Sequence, residues 1–305
     1  MCGIAAFFPK NPLYESKLGE LFVPMLECLT GRGPDSAGFA IYRDPAASGR
    51  TKIVAHHPSP EFDWMAYFRK VGTHEKMHII STHALAHFIG EPETLRAAAE
   101  AADPEVTLMS VGSTIEIYKE MGLPCKVMTQ FGLNTAQGSH AIGHTRMATE
   151  SAVTTAGSHP FSTGMDLCLV HNGSLSNHNR LRRNLEREGI TFRTDNDSEV
   201  AAGYLAWRLR QGDTLENSLK GALRDLDGFY TFAIGTRDGF AVLRDPIACK
   251  PAILAETDDF VAMASEYRAF VHLPNIENAR IWEPEPARVY TWSKDRSTIP
   301  LQAAL

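Results

Sequence analysis

The chain has 305 residues, 44% of them hydrophobic and 22% charged, with a formal net charge of -6. That composition is that of a globular protein able to bury a full core, built as one domain or as one domain carrying an insertion. Mild acidity without a basic block excludes nucleic acid as the expected ligand, and no apolar run approaches the 18 or so residues that span a bilayer, so no membrane segment is expected.

The first element is the short apolar run Gly3 to Phe8 in "MCGIAAFF", a buried strand ended by Pro9 and holding Cys2 at its start. The N-terminus lacks the basic region and long apolar stretch of a signal peptide. The five cysteines (Cys2, Cys28, Cys125, Cys168, Cys249) are scattered, with no Cys-x-x-Cys pair, so neither a disulfide framework nor a zinc ribbon is expected and a reducing cytoplasm fits. A helical stretch around Leu18 to Leu29 leads into "GRGPDSAG" (Gly31 to Gly38), a tight loop, and then the strand "FAIYR".

The stretch 51–137 reads as a small inserted α/β unit, with "KMHIISTHALA", "ETLRAAAEAA", "VTLMSVG" and "TIEIYKEMG" as strand, helix, strand, helix. It holds six of the twelve histidines (His56, His57, His74, His78, His83, His87). No cysteine or paired carboxylate stands at ligand spacing beside them, so they read as solvated or hydrogen-bonded side chains rather than zinc ligands. "HAIGHTRMAT" (His140 to Thr149) and "LCLVHNGSL" (Leu167 to Leu175) each read as a buried strand running into a polar loop. Helices follow in "NHNRLRRNLEREG", "DSEVAAGYLAWRLRQG" and "TLENSLKGALRDLDG", the first two stopped at Gly189 and Gly212. The chain then turns to the short strands "FYTFAIG", "GFAVLRD", "AILAE", "FVAMASE" and "ARVYTW". Strands, then helices, then strands favour an α+β fold with antiparallel sheets over a parallel βαβ alternation.

Chemistry begins at Cys2. Removal of Met1, the usual processing when the second residue is small, leaves a thiol and a free α-amine on one residue. An α-amine titrates near 7.7 to 8.0 and a thiol near 8.5, so the amine can take the thiol proton at neutral pH and later return it to a leaving amine. The plain alternative is a small buried hydrophobe at a chance position.

Five blocks decide between these readings. "MCGI", "GRGPDSAG", "GHTRMAT", "VHNGSLSNH" and "TDNDSEV" stand in the order and wording of the class II glutamine amidotransferase domain, which this chain resembles over residues 1 to about 45 and 138 to about 292. The resemblance implies the αββα fold of N-terminal-nucleophile hydrolases, two antiparallel sheets between helical layers, and hydrolysis of L-glutamine to glutamate and ammonia. It implies Cys2 as nucleophile, with Asn172 and Gly173 as donors to the oxyanion. For "HNG" the plain alternative is a hairpin turn. Arg146 would clamp the substrate carboxylate, helped by Thr149, and Asp197 would pair with the ammonium. Asp197 also suits a helix N-cap. Arg32 would build the loop over the site, while Ser265, Glu266 and "RDPIACKP" would supply framework. No metal is implied.

Two departures weaken assignment to the sugar-transaminase branch: Met147 replaces an aromatic residue after the arginine, and Glu150 stands where that branch has histidine. No phosphosugar isomerase, phosphoribosyltransferase or ATP-binding synthetase block follows "RVYTW", so the ammonia is expected to be used elsewhere. The insert makes the chain most similar to the stand-alone amidotransferase chain of glutamate-synthase-like complexes, of the N-methylglutamate synthase type. That resemblance implies a hetero-oligomer with a glutamate-synthase-like subunit holding FMN and an Fe-S cluster, and with a glycine-rich β-helix subunit. Two alternatives remain, a stand-alone amidase for another small amide and a catalytically silent assembly subunit.

Overall fold

The computed structural model describes residues 2–148 and 152–294. The chain enters through β1 (Gly3–Pro9), buried along its whole length, then α1 (Pro12–Glu15), whose Asn11 cap accepts from Leu13 N–H, and α2 (Leu18–Glu27). β2 (Ser36–Tyr42) and β3 (Arg50–His56) follow, then α3 (Trp64–Val71), β4 (His74–Ile80), β5 (His83–Ile89), α4 (Pro92–Ala102) and β6 (Thr107–Gly112). Next come β7 (Ile115–Met121), α5 (Pro124–Gln130), β8 (His140–Arg146), β9 (Phe161–Gly164) and β10 (Leu167–Leu175). Three helices, α6 (His178–Arg187), α7 (Asp197–Arg210) and α8 (Leu215–Asp225), precede β11 (Gly228–Thr236) and β12 (Gly239–Arg244). β13 (Ile253–Glu256), β14 (Phe260–Ala264), β15 (Arg280–Trp282) and β16 (Val289–Ser293) complete the described chain.

Two antiparallel sheets form the body: seven strands in the order β15-β13-β14-β1-β8-β2-β7, and five in the order β16-β12-β11-β10-β9. Their facing sides share one core, in which Phe8 and Phe240 meet with ring centroids 5.9 Å apart. The outer side of the larger sheet is covered by α2, whose Phe22 and Leu26 lie over Gly143. A second core forms where α6, α7 and α8 cover the smaller sheet, around Leu169, Leu205, Leu219 and Phe232. This is an αββα sandwich, as the resemblance implies. Because both faces of each sheet are covered, β1, β2 and β8 are buried at every position instead of alternating. β1 lies between β14 and β8, and its first residues sit at the edge of the larger sheet where β8 and β14 also end.

The stretch 51–137 departs from the strand, helix, strand, helix reading. "KMHIISTHALA" is a hairpin, β4 and β5, and joins β3 and β6 in a four-stranded sheet under α3 and α4. "TIEIYKEMG" is not a helix: it is β7, paired with β2 at the edge of the seven-stranded sheet. Its residues Ile115, Ile117 and Tyr118 bury in the main core, and that tertiary burial overrides the helical reading of a mixed polar and apolar segment.

Asp166 joins the two regions. It turns from β9 to β10 at φ 47°, and its carboxylate accepts the N–H and hydroxyl of both Ser113 and Thr114 and the N–H of Ile115, at 2.8 to 3.0 Å. Burial disfavours its charge, yet these hydrogen bonds outweigh burial and hold the carboxyl below its usual range. A depressed folded value contributes stability above the unfolded carboxylate pKa, lost as pH falls through the folded one. Asp166→Asn keeps the turn geometry but sets an amide N–H against donors. Urea denaturation at pH 7 should show a loss of about 2 to 3 kcal/mol, narrowing as the pH drops below about 4. An unchanged midpoint at pH 7 would refute this role.

Candidate active site

Cys2 stands at the mouth of β1, half-buried. Gly3 pairs with Thr145, so β8 carries Met147 alongside, and Met147 N–H points to Cys2 Sγ at 3.4 Å. The Cys2 carbonyl accepts from Arg32 Nε at 2.8 Å and from Asn172 Nδ2 at 3.2 Å. Arg32 also pairs with Glu266 at 3.0 Å, so it does more than shape its loop: it holds the backbone of Cys2 itself. Ser265 Oγ accepts from Ile4 N–H at 2.9 Å and from Asn172 Nδ2 at 3.2 Å, tying β1 to the opposite sheet.

"HNG" is not a hairpin turn. Asn172 and Gly173 lie inside β10, opposite Thr231 and Tyr230 of β11. Gly173 takes φ 150°, and a Cβ there would stand 2.0 Å from the Phe229 carbonyl oxygen and 2.7 Å from Tyr230 Cα. Only glycine fits. Asp197 is the first residue of α7, and the N-cap is Asn196, whose side chain accepts from Ser198 N–H. The Asp197 carboxylate accepts from Leu175 N–H at 2.9 Å and from Ser198 Oγ at 3.3 Å, with His171 Nδ1 at 3.7 Å. It therefore fastens the start of α7 to β10, two residues beyond Gly173.

Arg146 ends β8, buried, with Nη1 donating to the Ala152 carbonyl at 3.4 Å. Its own carbonyl accepts from Asp35 N–H at 3.1 Å, and the Asp35 carboxylate accepts from Ala148 N–H at 2.8 Å. "GRGPDSAG" thus braces the turn that carries Arg146. A Cβ on Gly33 would meet the Thr145–Arg146 peptide at 2.3 to 2.4 Å, which is why the loop needs glycine there. Thr149 and Glu150 lie outside the described residues.

The residues that reading the sequence missed are the buried histidines behind the site. His144 Nε2 lies 3.0 Å from Asn172 Oδ1 and 3.1 Å from the His171 carbonyl, and its ring stacks on His159 with centroids 4.0 Å apart. Burial pushes His144 down to about 3 and His159 well below its usual value, so both are neutral at ordinary pH. Burial also lowers His171, against the opposing pull of Asp197. The available signal was a histidine in an otherwise apolar strand, twice: "IGHT" and "LVHN". Among the described residues no group of three His, Cys, Asp or Glu is placed to hold a metal ion. A cavity of about 520 Å³ between α4, β6 and α7 has Arg96, Lys119 and Glu199 in its wall, and neither Cys2, Asn172, Arg146 nor Asp197.

A family model for the glutamine amidotransferase domain matches residues 144–272. The chain is 32% identical over 160 residues to the amidophosphoribosyltransferase of Methanocaldococcus jannaschii, covering 52% of this chain and 34% of that one. Among solved structures it matches glutamine phosphoribosylpyrophosphate amidotransferase from B. subtilis, complexed with ADP and GMP, with TM-score 0.62 and 22% identity. That match covers 96% of this chain and about half of the other, 48%, and bears on the fold. The glutamine amidotransferase-like protein GlxB of Rhizobium meliloti (strain 1021) is 54% identical over 301 residues, 97% of this chain and 100% of that one. An end-to-end relative at that identity, on an αββα sandwich with a cysteine at the mouth of its central strand, places this chain in the glutamine amidotransferase family.

Proposed function

We propose that this enzyme hydrolyses L-glutamine to glutamate and ammonia through a thioester on Cys2, and passes the ammonia to a separate glutamate-synthase-like subunit. The observation that carries the reading is the meeting of the two sheets at one residue: Cys2 leads β1 of one sheet, and the Asn172 amide of the other lies 3.2 Å from its carbonyl. Once Met1 is removed, the α-amine of Cys2 takes the Sγ proton and the thiolate attacks the side-chain amide carbon. The oxyanion that forms is met by Asn172 Nδ2 and Gly173 N–H. The 3.2 Å contacts of Nδ2 are long enough to yield to a charged acceptor, since catalytic hydrogen bonds tighten when substrate arrives. The C–N bond breaks, the α-ammonium protonates the departing ammonia, and water, deprotonated by the same amine, hydrolyses the thioester to glutamate and free thiol.

Arg146 and Asp197 flank these groups and, with Thr149, would read the carboxylate and ammonium of free glutamine. The narrower reading is an N-methylglutamate synthase type complex, with FMN and an Fe-S cluster in the synthase chain and a glycine-rich β-helix subunit beside it. It is supported by the motif set and by the α/β stretch between its blocks. Purification of the native complex, with a flavin absorbance scan and an assay for glutamate release, tests it. A flavin-containing assembly that uses glutamine is expected, and glutamine hydrolysis with no co-purifying synthase chain would remove the partner while leaving the hydrolase. Intact-mass measurement should find Cys2 as the first residue.

Arg146→Lys keeps the charge and loses the planar fork. The glutamine KM should rise roughly ten- to a hundredfold with a smaller loss in kcat, as expected when ground-state binding is removed. Steady-state kinetics decide it, and an unchanged KM with kcat abolished would refute the clamp.

A further inference from the structure

We infer that His144 is a positioning residue that fixes the side-chain amide of Asn172 with its NH2 turned toward Cys2. The inference rests on the reading that Asn172 donates to the oxyanion, and concerns how it is aimed.

The protons in this cluster are assigned by their neighbours. His144 Nε2 faces two oxygens, the His171 carbonyl at 3.1 Å and Asn172 Oδ1 at 3.0 Å. A backbone carbonyl can only accept, so Nε2 carries the hydrogen and shares it between the two. That N–H requires an acceptor on its side of Asn172, which sets Oδ1 there. On the other side stands the Cys2 carbonyl, also an acceptor only, and it requires Nδ2. Both ends of the amide are thus specified, and a flip would set oxygen against oxygen at the nucleophile and N–H against N–H at the histidine.

The remaining contacts hold the imidazole in this tautomer and place. His144 Nδ1 has no hydrogen-bond partner among the described residues, as fits a bare ring nitrogen packed on the His159 ring at 28°. The segment carrying His159 is held on either side, for Lys119 Nζ donates to the carbonyls of Ala156, Ser158 and Pro160 at 3.0, 2.7 and 3.2 Å. With its ring neutral and desolvated, His144 offers a single fixed N–H, whereas protonation would add a second hydrogen with nothing to accept it. Preorganisation of this kind matters because an oxyanion donor contributes only when it is already aimed as charge develops.

The test is a double-mutant cycle in the full chain with Met1 removal confirmed by mass. His144→Phe keeps a ring against His159 and lacks the N–H. It should lower kcat for glutamine by about a hundredfold, the effect of losing one oxyanion donor, with KM changed less than about threefold. His144→Gln restores an amide N–H near the Nε2 position and should recover kcat to within about tenfold of the parent. In an Asn172→Ala background, His144→Phe should lower kcat by less than about twofold, because the residue it aims is gone. Alkylation of Cys2 by iodoacetamide, which forms no oxyanion, should proceed at the parent rate in every variant. Effects of His144→Phe and Asn172→Ala that simply multiply would overturn the inference, as would an unchanged kcat in His144→Phe or a hundredfold loss in a His144→Gln protein that alkylates normally. Should His144→Phe not fold, His144→Met, which also lacks the N–H, is read in its place in both backgrounds, with the same expected and overturning outcomes. If instead fully alkylated parent protein still hydrolysed glutamine, the failure would lie with the Cys2 reading and not with His144.

Discussion

Cys2→Ala will abolish release of glutamate from glutamine. Without the sulfur no thioester can form, and loss of a covalent nucleophile lowers kcat by roughly five orders of magnitude or more. The fold should survive, because Cys2 is half-buried at the open end of β1 and, among the described residues, its Sγ makes two long hydrogen-bond contacts, 3.4 and 3.7 Å, both to the backbone of Met147. Removing one exposed-side sulfur leaves little cavity. Under the proposed function the partner subunit would require only ammonia or another small amine, so in such a complex synthesis should continue when ammonium salt replaces glutamine, or methylamine under the narrower reading. Loss of both activities together would point to a folding or assembly role. Glutamate release at the parent rate from a variant of confirmed N-terminus would end the nucleophile assignment.

Gly173→Ala should be the most damaging single-methyl change in the site. The added Cβ would stand 2.0 Å from the Phe229 carbonyl oxygen, 2.7 Å from Tyr230 Cα and 2.7 Å from His171 Nε2, at φ 150°. Two of these neighbours are backbone atoms of β11, so relief requires the β10–β11 ladder to part where it carries Asn172. Overpacking of this kind and a backbone conformation L-residues rarely adopt together give a destabilisation of about 3 kcal/mol. Displacing the two proposed oxyanion donors, Asn172 and Gly173, should also lower kcat by roughly a hundredfold or more, measured at a temperature where the variant is folded. Urea denaturation and steady-state kinetics on the same preparation separate the two effects. A kcat within twofold of the parent would show that Gly173 neither donates nor positions its neighbour.

Much of this molecule is legible from its residues in order. A strand-length apolar run ended by Pro9, helical runs stopped at Gly189 and Gly212, and a switch from helical to strand-like spacing after Asp225 prescribe the antiparallel sheets and the three-helix layer. The blocks "MCGI", "GHTRMAT" and "VHNG" mark Cys2, Arg146, Asn172 and Gly173, because a thiol, a guanidinium and an amide beside glycine are chemically distinctive wherever they fall. These are local facts, and periodicity and residue chemistry express them locally. What only the tertiary structure decided depends on groups far apart in the chain. "TIEIYKEMG" becomes β7 because β2 offers an edge to it, a partner some eighty residues earlier that its own spacing does not reveal. Asn172–Gly173 is a strand and not a turn because β11 pairs through it. Arg32 reaches the Cys2 carbonyl, Asp166 gathers five donors, and His144 sets the orientation of Asn172, each through hydrogen bonds whose direction is defined only when two sheets and a loop meet. A sequence states which donors and acceptors exist, and burial in the folded chain, by denying them water, determines which of them must pair.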